Sequence, residues 1–331
     1  MRGKNFFLIS GVIFLGLIGT FLLFLFNSTS IKNGGGAENV GFMVGLIAAD
    51  NKEDNLLVKE VYDSLESSKS EYAGEFLFKE KIVASEFELN VKTLVDNGCS
   101  LIYVLGKEYV AVLPGLAEQY KDVDFVMVNS KVKEVKNVTN LEINHRGSGY
   151  IKGILAGELT KNKAVAAVAL REVPVVVDEL SGYQKGIESV DRDLAFYWGY
   201  VATSGTGATS VKLVEEYLSY GADVVFPMAE SDNEVVLKLL SDRGVKAITN
   251  SSSYFSAYKN VVAAVSMDIK GELLKLTKES KEQGLGGGNA IIPVLVEYNG
   301  DVDAALKSQV KELLGKVNSG QYDMDVMVPM E

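Results

Sequence analysis

Val211 to Asn233, VKLVEEYLSYGADVVFPMAESDN, runs an apolar helical face through one glycine into a buried strand. Val211, Val214 and Leu218 recur at helical spacing, Gly221 ends the helix, and Ala222 to Met228 is a nearly continuous apolar run. A helix feeding a parallel strand is the reading. The same pattern stands earlier in Glu88 to Gly106, ELNVKTLVDNGCSLIYVLG, where Leu94 and Val95 precede Gly98 and the strand covers Ser100 to Leu105. Two copies about 120 residues apart predict two similar α/β lobes, each of ordinary domain size.

The chain has 331 residues, 47% hydrophobic and 23% charged, enough to bury one or two large cores. Its net charge of −11 argues against a nucleic-acid groove, which needs clustered Lys and Arg to replace phosphate counterions. The single cysteine, Cys99, rules out an intramolecular disulfide and reads as a small core residue opening a strand. One histidine, His145, cannot build a His-rich metal site, so zinc and Cys-His catalysis are close to excluded, while a site made only of carboxylates stays open.

Arg2 and Lys4 precede Phe6 to Phe26, an uncharged run long enough to cross a bilayer as a helix at about 1.5 Å per residue. A cleaved secretory signal has an apolar core of about 7 to 15 residues, so the longer run favours a retained anchor, although Ser28 and Ser30 form a small-x-small pair. Positive charge ahead of the span predicts a cytoplasmic amino terminus, with everything after Asn27 extracytoplasmic at the cell membrane. Residues 27–39, NSTSIKNGGGAEN, read as a flexible tether.

Val40 to Ala49 reads as a first buried strand, and Leu57, Val61 and Leu65 mark a helix beginning near Asp54. Asp50, Asn51 and Asp54 therefore sit at a strand's carboxyl end, the edge where open α/β sheets bind ligands; Asp54 reads equally well as a helix cap. The alternation continues through strands Glu75–Val83, Ser100–Leu105, Asp124–Asn129 and Val138–Asn144, with a helix over Glu108–Tyr120. Gly149, Gly153 and Gly157 line roughly one face of a helix over Gly147–Thr160, a spacing suited to close packing on a sheet. Second-lobe strands are expected at Val165–Leu170, Leu194–Val201, Ala222–Met228 and Val245–Thr249. After these come a strand at Val261–Val265, a helix at Lys270–Gln283, a loop GLGGGN, a strand at Ile291–Tyr298 and a last helix at Val302–Val317. Each lobe is doubly wound.

No GxxxxGK[ST] loop exists, no GxGxxG follows the first strand, and no GxSxG elbow is present. No nucleotide cofactor, metal or catalytic group is expected, and the chain does not read as an enzyme.

In the order of its segments the chain resembles the basic membrane protein family, nucleoside-binding components of ABC transporters with the type I periplasmic binding protein fold. The resemblance runs from Val40 to about Gln283. It rests on DNGCSLIYVLG, DVDFVMVNS, the long segment NVTNLEINHRGSGYIKGILAGELTKNKAVAAVALREVPVVVDELSGYQKGI, and EEYLSYGADVVFPMA with VKAIT. Gly153, Gly157, Pro174, Gly182, Gly186, Gly221, Ala222 and Asp223 stand where the family pattern wants them. The binding positions depart from it. A family aspartate–lysine–serine–phenylalanine–asparagine run falls on Asp54 to Val58, which puts Leu57 where the base-stacking aromatic belongs. The aspartate closing the fourth strand falls on Asn129. The paired glycines before the family proline fall on Ala169 and Leu170, a glycine-rich turn falls on Glu230 to Asn233, and an acid-bearing loop falls on Thr249 to Ser253 without its acids.

The resemblance implies two Rossmann-like lobes crossed three times by the chain, near Asn144, near Asn250 to Tyr254 and near Gly284 to Asn289. Lobe one would hold residues 40–144 and 251–283, lobe two 145–250 and 284–331. It also implies an extracytoplasmic solute-binding protein that closes on a small polar, nucleoside-like ligand and serves an ABC permease. Asp50, Asn51, Asp54, Leu57, Asn129, Glu230, Asn250 and Ser251 are the expected ligand-binding residues. The alternative is a non-transport sensor or surface protein that keeps the fold and has lost nucleoside binding.

Overall fold

The computed structural model describes residues 41–201, 207–300 and 302–321. The apolar run 6–26, the tether 27–39 and the tail after Gln321 lie outside these. Among the described residues no helix is long and apolar enough to cross a membrane.

Among the described residues twelve strands form two six-stranded sheets. In chain order they are β1 (Phe42–Ala48), β2 (Gly74–Lys79), β3 (Cys99–Leu105), β4 (Asp124–Val128), β5 (Val138–Glu142), β6 (Ala164–Ala169) and β7 (Ala195–Tyr200). β8 (Val224–Met228), β9 (Lys246–Thr249), β10 (Val261–Met267), β11 (Gly288–Ile291) and β12 (Val294–Tyr298) complete the set. Sheet one runs β11-β5-β4-β3-β1-β2 and sheet two runs β12-β10-β9-β8-β6-β7. All neighbours pair parallel except β10 with β12.

Alternation along each strand feeds a core on both faces of its sheet. Val44, Leu46 and Ala48 of β1 pack under the helices Leu56–Ser67 and Ile269–Gln283, while Ile47 packs under Phe87–Asp96 and Leu113–Gln119. In sheet two, Val165, Ala167 and Ala169 face the helices His145–Leu159, Pro174–Val190 and Ala304–Asn318. Ala166 and Val168 face Ala208–Ser219 and Asn233–Asp242. Each lobe is thus a three-layer, doubly wound sandwich of the periplasmic binding protein type. The stretch first quoted folds as read: Gly221 takes φ +99°, open to a residue without a side chain, and Asp223 accepts the amides of Lys161 and Asn162 at 2.8 and 3.1 Å.

The chain passes three times between the sheets, and two of the passages differ from expectation. The first is Ile143–Asn144, with Asn144 Oδ1 accepting the Gly147 amide at 2.7 Å. The second lies at Met267–Asp268 rather than at 250–254, because β10 pairs with β9 and β12 and so belongs to sheet two. Periodicity identifies a buried strand but not the sheet it joins. The third is Ile292–Pro293 rather than 284–289, inside the expected strand 291–298, whose first residue ends β11 of sheet one and whose residues 294–298 are β12 of sheet two. Pro293 lacks the N–H a continuous ladder needs, and Gly288 of the expected loop already begins β11.

Two further expectations are corrected. The helix over Glu108–Tyr120 is a 3-10 turn at Lys107–Tyr109 followed by the helix Leu113–Gln119. The glycine face of His145–Leu159 packs on another helix, not on a sheet. A Cβ on Gly149 would stand 1.9 Å from Glu179 O, one on Gly153 2.1 Å from Tyr183 O, and one on Gly182 2.0 Å from Arg146 O. The two helices touch backbone to backbone.

Candidate functional site

Each passage leaves the carboxyl end of a strand: β5, β10 and β11. The His145 and Ile269 helices begin at the carboxyl edge of the sheet they cover, and β12, antiparallel to β10, begins at that edge too. The carboxyl edges of the two sheets therefore face each other across three short connectors. The connectors also touch. Asp268 donates its amide to Pro293 O at 2.8 Å, and Ile292 donates to Glu142 O at 2.9 Å.

On sheet one the loop after β1 is organised by its own side chains. Asn51 Oδ1 accepts the amides of Glu53 and Asp54, both at 2.9 Å, and Asn51 Nδ2 donates to the Asp54 carboxylate. Asn55, not Asp54, caps the helix, accepting from Leu57 N at 3.0 Å and Val58 N at 3.2 Å, and its Nδ2 donates to Asp50 Oδ2 at 2.7 Å. Asp54 is thereby committed to the turn. Leu57 packs half-buried on the lobe-one core, whereas its neighbour Leu56 is 76% exposed. Asn129 adopts φ +52° after β4 and, with Ser130, Lys131, Asn140, Glu142 and Asn289, lines a cavity of about 210 Å³.

On sheet two Glu230, at φ +47° after β8, meets Arg171, which lies just past the end of β6. The guanidinium is bidentate, Nη2 to Oε2 at 2.7 Å and Nε to Oε1 at 3.3 Å. Asn250 is exposed after β9. Ser251 closes a local turn: its carbonyl accepts from Thr249 Oγ1 at 2.9 Å and its Oγ from the Ser253 amide at 3.2 Å. Asp50, Asn51, Asp54 and Asn129 thus cluster on one carboxyl edge, and Glu230, Asn250 and Ser251 on the other. Leu57 points away from this set, into its own lobe.

Sequence reasoning missed Arg171, Asn55 and the pair Arg146–Asp178, 2.6 Å apart across the first turns of the His145 and Pro174 helices. The arginine at a strand end in ALREVP was the available signal. Behind that pair Lys152 and Glu179 form a buried ion pair, with Lys152 Nζ also donating to Ser148 Oγ at 2.6 Å. Burial holds the Lys152 ammonium below its ordinary pKa, with Glu179 pulling the other way. Burial likewise lowers His145, opposed by Glu179 and Asp178 and aided by Lys152. The Cys99 thiol, buried in β3, is pushed up to about 11, so it stays protonated and inert. Among the described residues no group of His, Cys, Asp and Glu is arranged to hold a metal ion.

A transcriptional activator protein, med, of Bacillus subtilis is 26% identical over 248 residues, covering 74% of this chain and 77% of that protein. The ABC transporter nucleoside-binding protein BmpA of Lactococcus lactis is 23% identical over 266 residues, covering 74% and 76%. The crystal structure of a transcriptional activator of the comK gene from Bacillus halodurans superposes with a TM-score of 0.65 at 21% identity, over 85% of this chain and 99% of that one. The family model for PnrA-like ABC transporter substrate-binding proteins matches residues 39–298, and the chain belongs to that family, Bmp.

Proposed function

We propose that this protein is an extracytoplasmic solute-binding protein held at the membrane through residues 6–26, whose two lobes close on a small polar ligand for an ABC permease. In this reading its nucleoside pocket is rewritten. The observation that carries the proposal is the pair of facing carboxyl edges, one bearing Asp50 and Asn129, the other Glu230 and Asn250. The rewriting is supported by Leu57 packed into its own lobe, Asp54 held by Asn51, and Glu230 tied to Arg171. The test is calorimetric titration of the full chain in detergent with adenosine, guanosine and inosine, and then with a panel of small polar solutes. Binding of a solute other than a nucleoside supports the proposal; micromolar or tighter nucleoside binding overturns the rewritten pocket, and no binding at all overturns solute capture.

A second reading, a sensor that keeps the fold without transport, is favoured by the likeness to two proteins named as transcriptional activators. It is separated from the first by whether a permease co-purifies with the full chain.

A further inference from the structure

Sheet two ends on β7, AFYWGY, which among the described residues pairs only with β6. Ala195 donates its amide to Lys163 O and Val201 to Ala169 O, each at 2.9 Å. By the two-residue period of a strand, Ala195, Tyr197 and Gly199 turn their backbone toward β6. Phe196, Trp198 and Tyr200 turn theirs outward, and among the described residues nothing accepts or donates to those groups. Their side chains share the sheet face that packs on Tyr183 and the Pro174 helix, half-exposed at the rim. Tyr197, on the opposite face, lies 5.2 Å from the ring of Tyr220, which is 52% exposed.

Unpaired strand edges are templates for another strand, and proteins guard them with charge, shortness or proline. The other terminal strands show such guards: Glu75 and Lys79 in β2, Glu297 in β12, and a length of four residues in β11. β7 has none of them. It is six residues long and carries neither a charge nor a proline, in a chain of net charge −11.

We propose that β7 is a self-association edge, pairing antiparallel with β7 of a second copy of this chain about a twofold axis at Trp198. Self-complementarity selects the occupant. With the axis at Trp198, the outward backbone groups of Trp198 meet those of its symmetry mate, and those of Phe196 meet those of Tyr200, which satisfies every outward group of the strand. The same register sets Phe196 beside Tyr200 and Trp198 beside Trp198 on one face, cross-strand aromatic pairs that stabilise sheets. No like charges are brought together along the strand. Two six-stranded sheets become one of twelve strands. Because the aromatic rings are already half-buried, little new area is gained, and the dimer belongs to the weak, concentration-dependent class.

The experiment is sedimentation of the full chain in detergent up to about 100 μM, a range that reveals weak association, with hydrogen exchange measured at both ends of the range. The expected result is a monomer–dimer equilibrium in which the amides of Phe196, Trp198 and Tyr200 gain protection as dimer forms, while those of Tyr197 and Gly199 are protected throughout. Trp198→Lys, which sets two like charges on the axis, should abolish the dimer while leaving the monomer's thermal transition cooperative. Should that variant misfold, the exchange pattern of the unaltered chain decides alone. A chain that stays monomeric overturns the proposal, as does a dimer whose 195–201 segment exchanges as in the monomer. Protection of the outward amides in the monomer also overturns it, because the edge would then be covered by the chain itself.

Discussion

Lys152 and Glu179 meet inside the second lobe, with less than a tenth of either side chain exposed, in the seam where the glycines of two helices touch. Ser148 shares the pair, accepting from Lys152 and donating to Glu179 Oε1 at 3.2 Å. Removing one partner strands a buried charge, at a cost of about 3–5 kcal/mol. Lys152→Met should lower stability by that amount in urea titration, and Lys152→Met with Glu179→Leu should recover most of it. Equal losses in the single and double variants would show that the pair is not the stabilising unit.

The seam itself gives a contrast between glycines. Gly153→Ala drives a methyl into the Tyr183 carbonyl, with no room on either backbone, and should destabilise by more than the roughly 1–3 kcal/mol of ordinary overpacking. Gly315→Ala, in the helix Ala304–Asn318 with nothing within 4 Å, should stabilise by about 0.5–1 kcal/mol. Thermal unfolding of the two variants checks both signs.

His145 supplies a pH dependence. Burial disfavours its charged form, so its folded pKa lies below 6.5. Below that value the unfolded chain binds the proton more readily, and stability falls as pH falls from about 6.5 toward the folded pKa. The lone histidine's NMR titration should have a midpoint under 6.5, and His145→Gln should flatten the stability slope between about pH 7 and 5. A midpoint above 6.5 would contradict the burial argument.

Purine nucleosides should bind weakly. A base–aromatic stack contributes roughly 1–3 kcal/mol and a hydrogen bond to a charged group roughly 1.5–3, so losing one of each removes on the order of 2–6 kcal/mol. That is roughly one and a half to four decades in Kd. Leu57→Phe should not restore binding, since position 57 is packed on its own lobe. Calorimetry of that variant with inosine checks this.

Asn318 ties the last helix to the third passage: its Oδ1 accepts the Val294 amide at 2.8 Å and its Nδ2 donates to the Val294 carbonyl at 3.0 Å. Asn318→Ala leaves both backbone groups without these partners, at a cost of about 1–3 kcal/mol. Faster amide exchange at Val294 is the accompanying signal.

Strand positions were legible because a strand buried on both faces must be apolar along its length, as in Val165–Ala169 or Val224–Met228. Sheet membership was not: β10 looks the same in sequence whichever neighbour it joins, and the start of β11 was hidden in a glycine-rich run that reads as a loop, with only Pro293 marking the break before β12. The places of Asp50, Asn129, Glu230 and Asn250 at strand ends were legible because polar residues stand there after apolar strands. What periodicity cannot reveal is a partner. The order of residues puts Leu57 on the apolar face of its helix, but nothing in it says that Arg171 reaches Glu230 or that Asn51 holds Asp54, since each depends on where a side chain points after a turn.

The second and third passages are hydrogen-bonded to each other through Asp268 and Pro293, and the third is bonded to Glu142 at the end of β5, where the first begins. Straps tied in this way are expected to act as a flexure, bowing together more readily than they slide past each other. Relative movement of the lobes is then expected to reduce to a single angle. Any receiver of that angle, whether a permease or a regulatory protein, needs one foothold on each lobe to read the whole state of the molecule.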